Sequence, residues 1–194
     1  MIVALAGRRI DSAEAKEPRF PVSNIETVRT RVRAVLQEKG ATALVSSAAC
    51  GADLIALSEA GQLGLRRRVI LPFERARFRE TSVTDRPGDW GTLYDEVLDA
   101  VTAAGDLVIL QQPDQQPGQQ PPAASEAYAA ANSAILDEAA ALAAETHQPL
   151  AAVLIWDGLS RGDRDLTEAF GAEARKRGLA VTEIRTAAAG LPAN

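Results

Sequence analysis

The feature of this sequence that most constrains its fold is a regular alternation of short apolar runs with longer segments of helical periodicity. The apolar runs cover residues 2–6, 43–45, 68–71, 106–110, 152–156 and 180–184. Apolar spacing and end signals predict helices over 25–39, 52–61, 90–104, 125–145 and 163–177. Short apolar strands that alternate with helices are typical of a parallel sheet covered on both faces. The sequence therefore predicts an α/β fold: a single Rossmann-like, doubly wound domain with a mostly parallel sheet of about six strands and helices on both faces.

The domain organisation follows from the same pattern, because strands of one type continue to the end of the chain. We expect one domain over residues 1–186 and a flexible C-terminal tail over 187–194. Residues 112–125 are rich in Gln and Pro, a composition that buries no core of its own, and they are predicted to form a loop insertion within the domain.

The charge and the residue content of the chain argue against several classes of partner and site. The formal net charge of −5 argues against a nucleic-acid partner, because phosphate backbones are bound by basic surfaces. One cysteine, Cys50, and one histidine, His147, exclude an internal disulfide and a Cys-rich metal site, and we predict no metal and no cofactor. No run reaches the roughly 18 apolar residues of a membrane helix, and residues 1–7 are too short for a signal peptide. The expected location is cytoplasmic, with no membrane partner.

The strongest candidate for a binding site is the run of small residues between the second strand and the following helix. In doubly wound sheets, ligands bind outside the carboxyl ends of the strands. The candidate residues here are Ser46, Ser47, Ala48, Cys50, Gly51 and Asp53. Small side chains let a phosphate approach backbone N–H groups at a helix start, and the serine hydroxyls add donors. The alternative is a tight strand-to-helix turn in which Asp53 complements the helix dipole. The loop matches neither a Walker loop nor GxGxxG.

Three other strand ends supply candidates. Gly7, Arg8 and Arg9 follow the first strand, where paired arginines either clamp an anion or form a solvated pair. Pro72 closes the third strand. After the fifth strand, a polar loop contains Asp157, Gly158 and Gly162. Asp157 is a candidate acceptor for ribose hydroxyls, and the alternative is a plain loop with Asp163 as the helix N-cap.

Taken together, several of these segments resemble one known superfamily. Residues 7–11, 19–21, 46–53, 71–73 and 156–158, with Phe78 and 82–83, are similar to the SLOG superfamily of Rossmann-like domains related to DprA and to the LOG phosphoribohydrolases. The most similar branch is the one found in bacterial signalling proteins. The resemblance spans most of the chain. It implies a nucleotide-derived ligand whose phosphate lies in loop 46–51, flanked by residues 7–9.

The LOG enzymes carry a Pro-Gly-Gly-x-Gly-Thr-x-x-Glu motif that this sequence matches only in part. The corresponding segment, residues 157–168, lacks the double glycine of the motif. Thr167 and Glu168 resemble the residues at the end of the motif. Under this resemblance Glu168, and second to it Asp163, are the candidate catalytic acids, and Thr167 is a candidate ligand-binding residue.

Two functions of different classes follow. The first is binding or sensing of a nucleotide or nucleotide-derived ligand, reported through a homodimer or an effector protein. The second is hydrolysis of an N-glycosidic bond in a nucleoside monophosphate by a general acid such as Glu168. A third and weaker hypothesis, DNA binding by analogy with DprA, is opposed by the acidic balance of the chain.

Overall fold

A computed structural model of the chain describes residues 1–110, 124–162 and 165–187. Its strands are β1 Ile2–Gly7, β2 Ala43–Ser46, β3 Arg66–Leu71, β4 Leu107–Ile109, β5 Leu150–Trp156 and β6 Val181–Arg185. Its α-helices are α1 Ile25–Glu38, α2 Ala52–Gln62, α3 Arg75–Ser82, α4 Trp90–Ala103, α5 Ala124–Thr146 and α6 Leu166–Lys176, and a 3-10 turn over Val22–Asn24 precedes α1. All predicted strands and helices are present, with ends that differ by a few residues. Residues 112–123 of the predicted insertion and 188–194 of the predicted tail lie outside the described residues.

The six strands form one parallel sheet in the order β4-β3-β2-β1-β5-β6. The chain moves outward from β1 through β2 and β3 to β4, and then returns to place β5 on the other side of β1. This reversal makes the boundary between β1 and β5 the topological switch point, where doubly wound sheets leave a crevice at their carboxyl ends. The predicted fold class is confirmed.

Two apolar layers hold the helices to the sheet, one on each face. Strand β1 shows the alternation, since Val3 and Leu5 pack into the layer under α1, α2 and α4. Ala4 and Ala6 pack into the other layer, under α5 and α6. Both faces of β1 are therefore buried, as its uniformly apolar sequence predicts.

The end of β1 and the start of α2 approach each other closely, and two glycines make this possible. A Cβ on Gly7 would lie 2.4 Å from the Cβ of Ala52 and 2.7 Å from the carbonyl oxygen of Ile155. Gly51 has a φ of +94°, and a Cβ there would lie 2.7 Å from the backbone nitrogen of Ile10. Both contacts involve backbone that cannot move aside, so these positions require glycine. The first turn of α2 is thereby placed directly beneath the loop that follows β1.

We expect Gly51→Ala to destabilise the protein by about 2 kcal/mol, because the added methyl combines a strained φ with a backbone contact. Gly64 is the matched control: its φ is also positive, at +70°, but a Cβ there meets nothing within 4 Å. Gly64→Ala should cost about 1 kcal/mol, from φ alone. Urea unfolding of the two variants measures the difference, and equal losses would contradict the close approach.

Candidate functional site

A cavity of about 590 Å³ opens at the carboxyl end of β1. Its walls come from five parts of the fold. These are the loop after β1, the loop from β2 into α2, the end of α3 with the residue Arg86 beyond it, the first half of α5, and the start of α6. The cavity therefore lies at the switch point between β1 and β5, where the topology places a ligand crevice.

The structure brings six of the predicted site residues to the wall of this cavity: Gly7, Arg8, Arg9, Ser47, Asp53 and Thr167. The other described candidates do not line it: Ser46, Ala48, Cys50, Gly51, Pro72, Asp157, Gly158, Gly162 and Glu168. Asp163 lies outside the described residues. Ala48 and Cys50 belong to the apolar core instead, and Ser46 turns its hydroxyl to the carbonyl of Ser47 at 2.8 Å. Assignment of any of these residues to a ligand stays a prediction.

Arg8 is the most completely bound side chain at the cavity wall. Its guanidinium is 3% exposed and donates to both carboxylate oxygens of Asp165, at 2.6 and 2.7 Å. It also donates to Asp157 at 3.0 Å and to the carbonyl of Leu159 at 2.7 Å. Arg8 therefore ties the end of β1 to the loop between β5 and α6. A cation compensated by two buried carboxylates has little charge left for a ligand.

Asp165 caps the first turn of α6 and completes this cluster. Its Oδ1 accepts from the backbone N–H of Thr167 at 3.0 Å and of Glu168 at 3.2 Å. Burial opposes ionisation of Asp165, but hydrogen bonds from the Arg8 side chain and from the backbone N–H groups of Glu168 and Arg161 outweigh it and lower its pKa to about 2. The described part of α6 consequently begins at Leu166, three residues after the predicted start.

The loop from β2 into α2 is satisfied by groups of the protein itself. The N–H of Ala49 donates to Oδ2 of Asp53 at 3.2 Å. The N–H groups of Cys50 and Ala52 donate to the carbonyls of Ser82 and Arg8, at 3.0 and 3.1 Å. The helix start predicted to bind a phosphate therefore already holds a carboxylate, that of Asp53.

Asp53 is also the most perturbed acid of the site. Burial raises its pKa to about 7, against the opposing effects of the Ala49 N–H, the charge of Arg9 and the Gly7 backbone. Its Oδ1 is buried and has no hydrogen-bond partner among the described residues. A titratable group of this kind in a cavity wall is characteristic of functional sites.

Arg9 and Arg86 share a single carboxylate on the side of the cavity next to α3. Arg9 Nη2 forms a hydrogen-bonded ion pair with Asp85, and its Nη1 lies 3.4 Å from the carbonyl of Thr81. Arg86 Nε lies 3.6 Å from Oδ2 of the same Asp85. Cys50 is beneath this pair, where burial raises the pKa of its thiol despite the nearby charge of Arg9. Burial and a raised pKa describe an unreactive thiol.

The wall opposite the sheet comes from α5, which the sequence-based prediction left out of the site. The Tyr128 hydroxyl is 2.8 Å from the hydroxyl of Ser82, and its ring packs edge-on against Phe73 with centroids 5.4 Å apart. One turn further on, the Asn132 amide donates to the carbonyl of Leu166 at 2.7 Å. Tyr128 and Asn132 are four residues apart in an alanine-rich helix. That i, i+4 polar pair is the signal in the sequence that identifies this face.

Unpaired buried polar atoms concentrate at the cavity. Four such side-chain atoms occur in the described part of the chain, on Arg9, Asp53, Arg68 and Arg86. Three of these four residues line the cavity. Native proteins pair almost all buried polar groups, so these three atoms are candidates for contact with water or a bound solute.

Within residues 1–110, 124–162 and 165–187, no group of three or more His, Cys, Asp or Glu side chains is arranged to hold a metal ion. None of the helices in those ranges combines the length and apolarity needed to cross a membrane.

Comparison with known proteins adds one structural likeness. No family model matches the chain, and no curated protein is similar to it. Among solved structures, the X-ray structure of DNA processing protein A (DprA) from Streptococcus pneumoniae is similar at 15% sequence identity, with a TM-score of 0.42. The match covers 93% of this chain and 57% of that one, so this chain spans a little over half the length of that protein. The fold class therefore rests on the sheet topology of the structure itself, and the SLOG resemblance stays a prediction.

Proposed function

We propose that this protein binds a nucleotide or nucleotide-derived ligand in the cavity at the β1–β5 switch point. The observation that carries the proposal is that the unpaired buried polar atoms of Arg9, Asp53 and Arg86 all belong to the wall of this one cavity. A volume of about 590 Å³ is that of a small-molecule site.

The charge of the wall favours an anionic ligand. Six lining side chains are cations, namely Arg8, Arg9, Lys16, Arg19, Arg86 and Arg161. Four are acids, namely Asp11, Glu17, Asp53 and Asp165, and the raised pKa of Asp53 leaves it only partly ionised at neutral pH. Two carboxylates outside the wall form ion pairs with these arginines: Asp157 with Arg8 and Arg19, and Asp85 with Arg9. The six cations are therefore nearly balanced by six carboxylates, and a local excess of positive charge lies where Arg9 and Arg86 share Asp85.

The wall also suits the uncharged part of a nucleotide. Phe78 and Tyr128 supply aromatic surface, and Ser47, Ser82 and Asn132 supply hydroxyl and amide groups. Polar groups placed beside apolar and aromatic surface are the usual means of orienting a small ligand. Sensing would then require that occupancy be reported to a second copy of the chain or to an effector protein, as in the predicted signalling role.

The hydrolase alternative receives no support from the position of its candidate acid. Glu168 is absent from the cavity wall and accepts a hydrogen bond from the Ser160 hydroxyl on the outer side of α6. A general acid must reach the leaving group within hydrogen-bond distance. We therefore propose binding in preference to N-glycosidic hydrolysis.

A thermal-shift screen tests the proposed function. The panel is nucleoside mono-, di- and triphosphates, NAD, ADP-ribose and cyclic dinucleotides. A ligand at about 100 times its Kd adds about 2.7 kcal/mol to the free energy of unfolding, so at least one compound should raise the Tm by several degrees. If no member of the panel changes the Tm at millimolar concentration, the proposed function is wrong.

A further inference from the structure

Arg86 is the partly buried arginine of the cavity wall that makes the fewest bonds to other described residues. Lys16 and Arg161, whose side chains also make no hydrogen bond or ion pair with those residues, are exposed. Arg86 lies in the connection between α3 and α4, its side chain is 28% exposed, and its guanidinium makes no hydrogen bond to any residue in the described part of the chain. Its single ion contact, to Asp85 at 3.6 Å, is longer than a hydrogen bond. Its Nε is buried without a hydrogen-bond partner among the described residues, which costs stability.

The neighbouring Arg9 leaves this corner of the cavity positively charged. Arg9 holds the same Asp85 and is also only partly exposed, at 29%. Two arginines on one carboxylate carry a net charge of +1, and the Nε atoms of both are buried without a hydrogen-bond partner among the described residues. The contrast with Arg8 is sharp, because Arg8 meets two carboxylates.

The backbone around this pair is fixed on both sides. Val83 is fully buried in the core, and the carbonyl of Ser82 accepts the N–H of Cys50. After Arg86, the indole N–H of Trp90 donates to the carbonyl of Pro87 at 2.8 Å. Arg86 is therefore held at the cavity wall by its neighbours in the chain, independently of any bond that its own side chain makes.

We infer that Arg9 and Arg86 form the anion subsite of the cavity and hold the phosphoryl group of the ligand. This inference rests on the proposed function and makes it more specific. Phosphate oxygens accept from guanidinium groups in two-pronged geometry, and two arginines that share one counterion have donors to spare. The helix start of α2 is the less suitable place, since the carboxylate of Asp53 already accepts the Ala49 N–H there.

The probes for the test are AMP and adenosine, which share base and ribose and differ in the phosphoryl group. Their affinities for the wild-type protein and for Arg86→Gln are measured by calorimetry at low salt. We expect Arg86→Gln to weaken AMP binding on the order of 10- to 100-fold and to change adenosine binding less than about twofold. Arg86→Lys, which keeps the charge, should recover part of the AMP affinity.

Arg77→Gln is the matched control, because Arg77 is exposed on α3, stacks 3.9 Å over the ring of Phe73 and does not line the cavity. It should leave both affinities unchanged. Equal AMP affinity in Arg86→Gln and wild type would overturn the subsite, as would the absence of AMP binding to wild type. The proposed function is wrong only if no compound of the nucleotide panel binds. A wrong subsite can therefore be distinguished from a wrong function.

Discussion

Arg8→Ala is expected to lower the free energy of unfolding by about 3–5 kcal/mol, the usual cost of removing one partner from a buried ion pair. The substitution leaves the carboxylate of Asp165, 1% exposed, without its arginine partner, while Asp157, 4% exposed, keeps only its ion pair with Arg19. The carbonyl of Leu159 likewise loses one of its two arginine donors. Urea denaturation at pH 7 measures the loss.

Arg31→Ala is the control for this prediction. Arg31 is exposed on α1 and makes one hydrogen bond, to the carbonyl of Arg185 at 2.9 Å. Its removal should cost less than about 1 kcal/mol. If Arg8→Ala were no more costly than Arg31→Ala, Arg8 would not be the bridge that the structure shows. Because Arg8 organises the wall, loss of ligand binding in an Arg8 variant does not by itself identify a contact to the ligand.

Asp53→Asn is expected to stabilise the protein increasingly as the pH rises. Burial raises the pKa of Asp53 to about 7 in the folded state, against an ordinary value of 3.8. Between these values the folded protein binds more protons than the unfolded chain, so wild-type stability falls as pH rises. Between pH 5 and pH 8 this group alone should remove about 3 kcal/mol. Asparagine keeps an acceptor for the Ala49 N–H and has no charge to bury.

The measurement is the difference in unfolding free energy between Asp53→Asn and wild type at pH 5 and at pH 8. It should be about 3 kcal/mol more favourable to the variant at pH 8. Asp137→Asn serves as the control, because that carboxylate is 65% exposed on α5. Its effect should stay below about 1 kcal/mol at both pH values. A pH-independent difference for Asp53→Asn would show that Asp53 titrates normally.

Much of the fold was predictable because its signals are local. Six strands and most of the helices between them follow from uniform apolar runs, from helical periodicity and from glycines at helix ends. Parallel pairing follows from the alternation of strands and helices. The helix α3 carries a weak signal in the sequence, since Phe78 and Ser82 are its only buried residues and three arginines obscure the helical period. The order of the strands, and with it the switch point between β1 and β5, depends on the return of the chain after β4.

Sequence predicted only those cavity residues that follow the carboxyl end of a strand. The rule for doubly wound sheets identified Gly7, Arg9, Ser47 and Asp53, which line the cavity. It did not identify Arg86, because that residue follows a helix and reaches the cavity through the packing of the α3–α4 connection. Sequence also does not distinguish an arginine that is paired with carboxylates of the protein from one that is free to bind a ligand. The carboxylates that meet Arg8 are 149 and 157 positions away.

In the proposed function, the ligand occupies the cavity at the switch point between β1 and β5. The most direct test compares the Tm shift produced by the best panel compound in Ser47→Tyr and in Ser133→Tyr. Ser47 lines the cavity and is half-buried, so a tyrosine there fills it, whereas Ser133 is exposed on α5 outside the wall. We predict that Ser47→Tyr abolishes the shift and that Ser133→Tyr retains the full wild-type shift. An undiminished shift in folded Ser47→Tyr protein would place the ligand elsewhere and contradict this assignment.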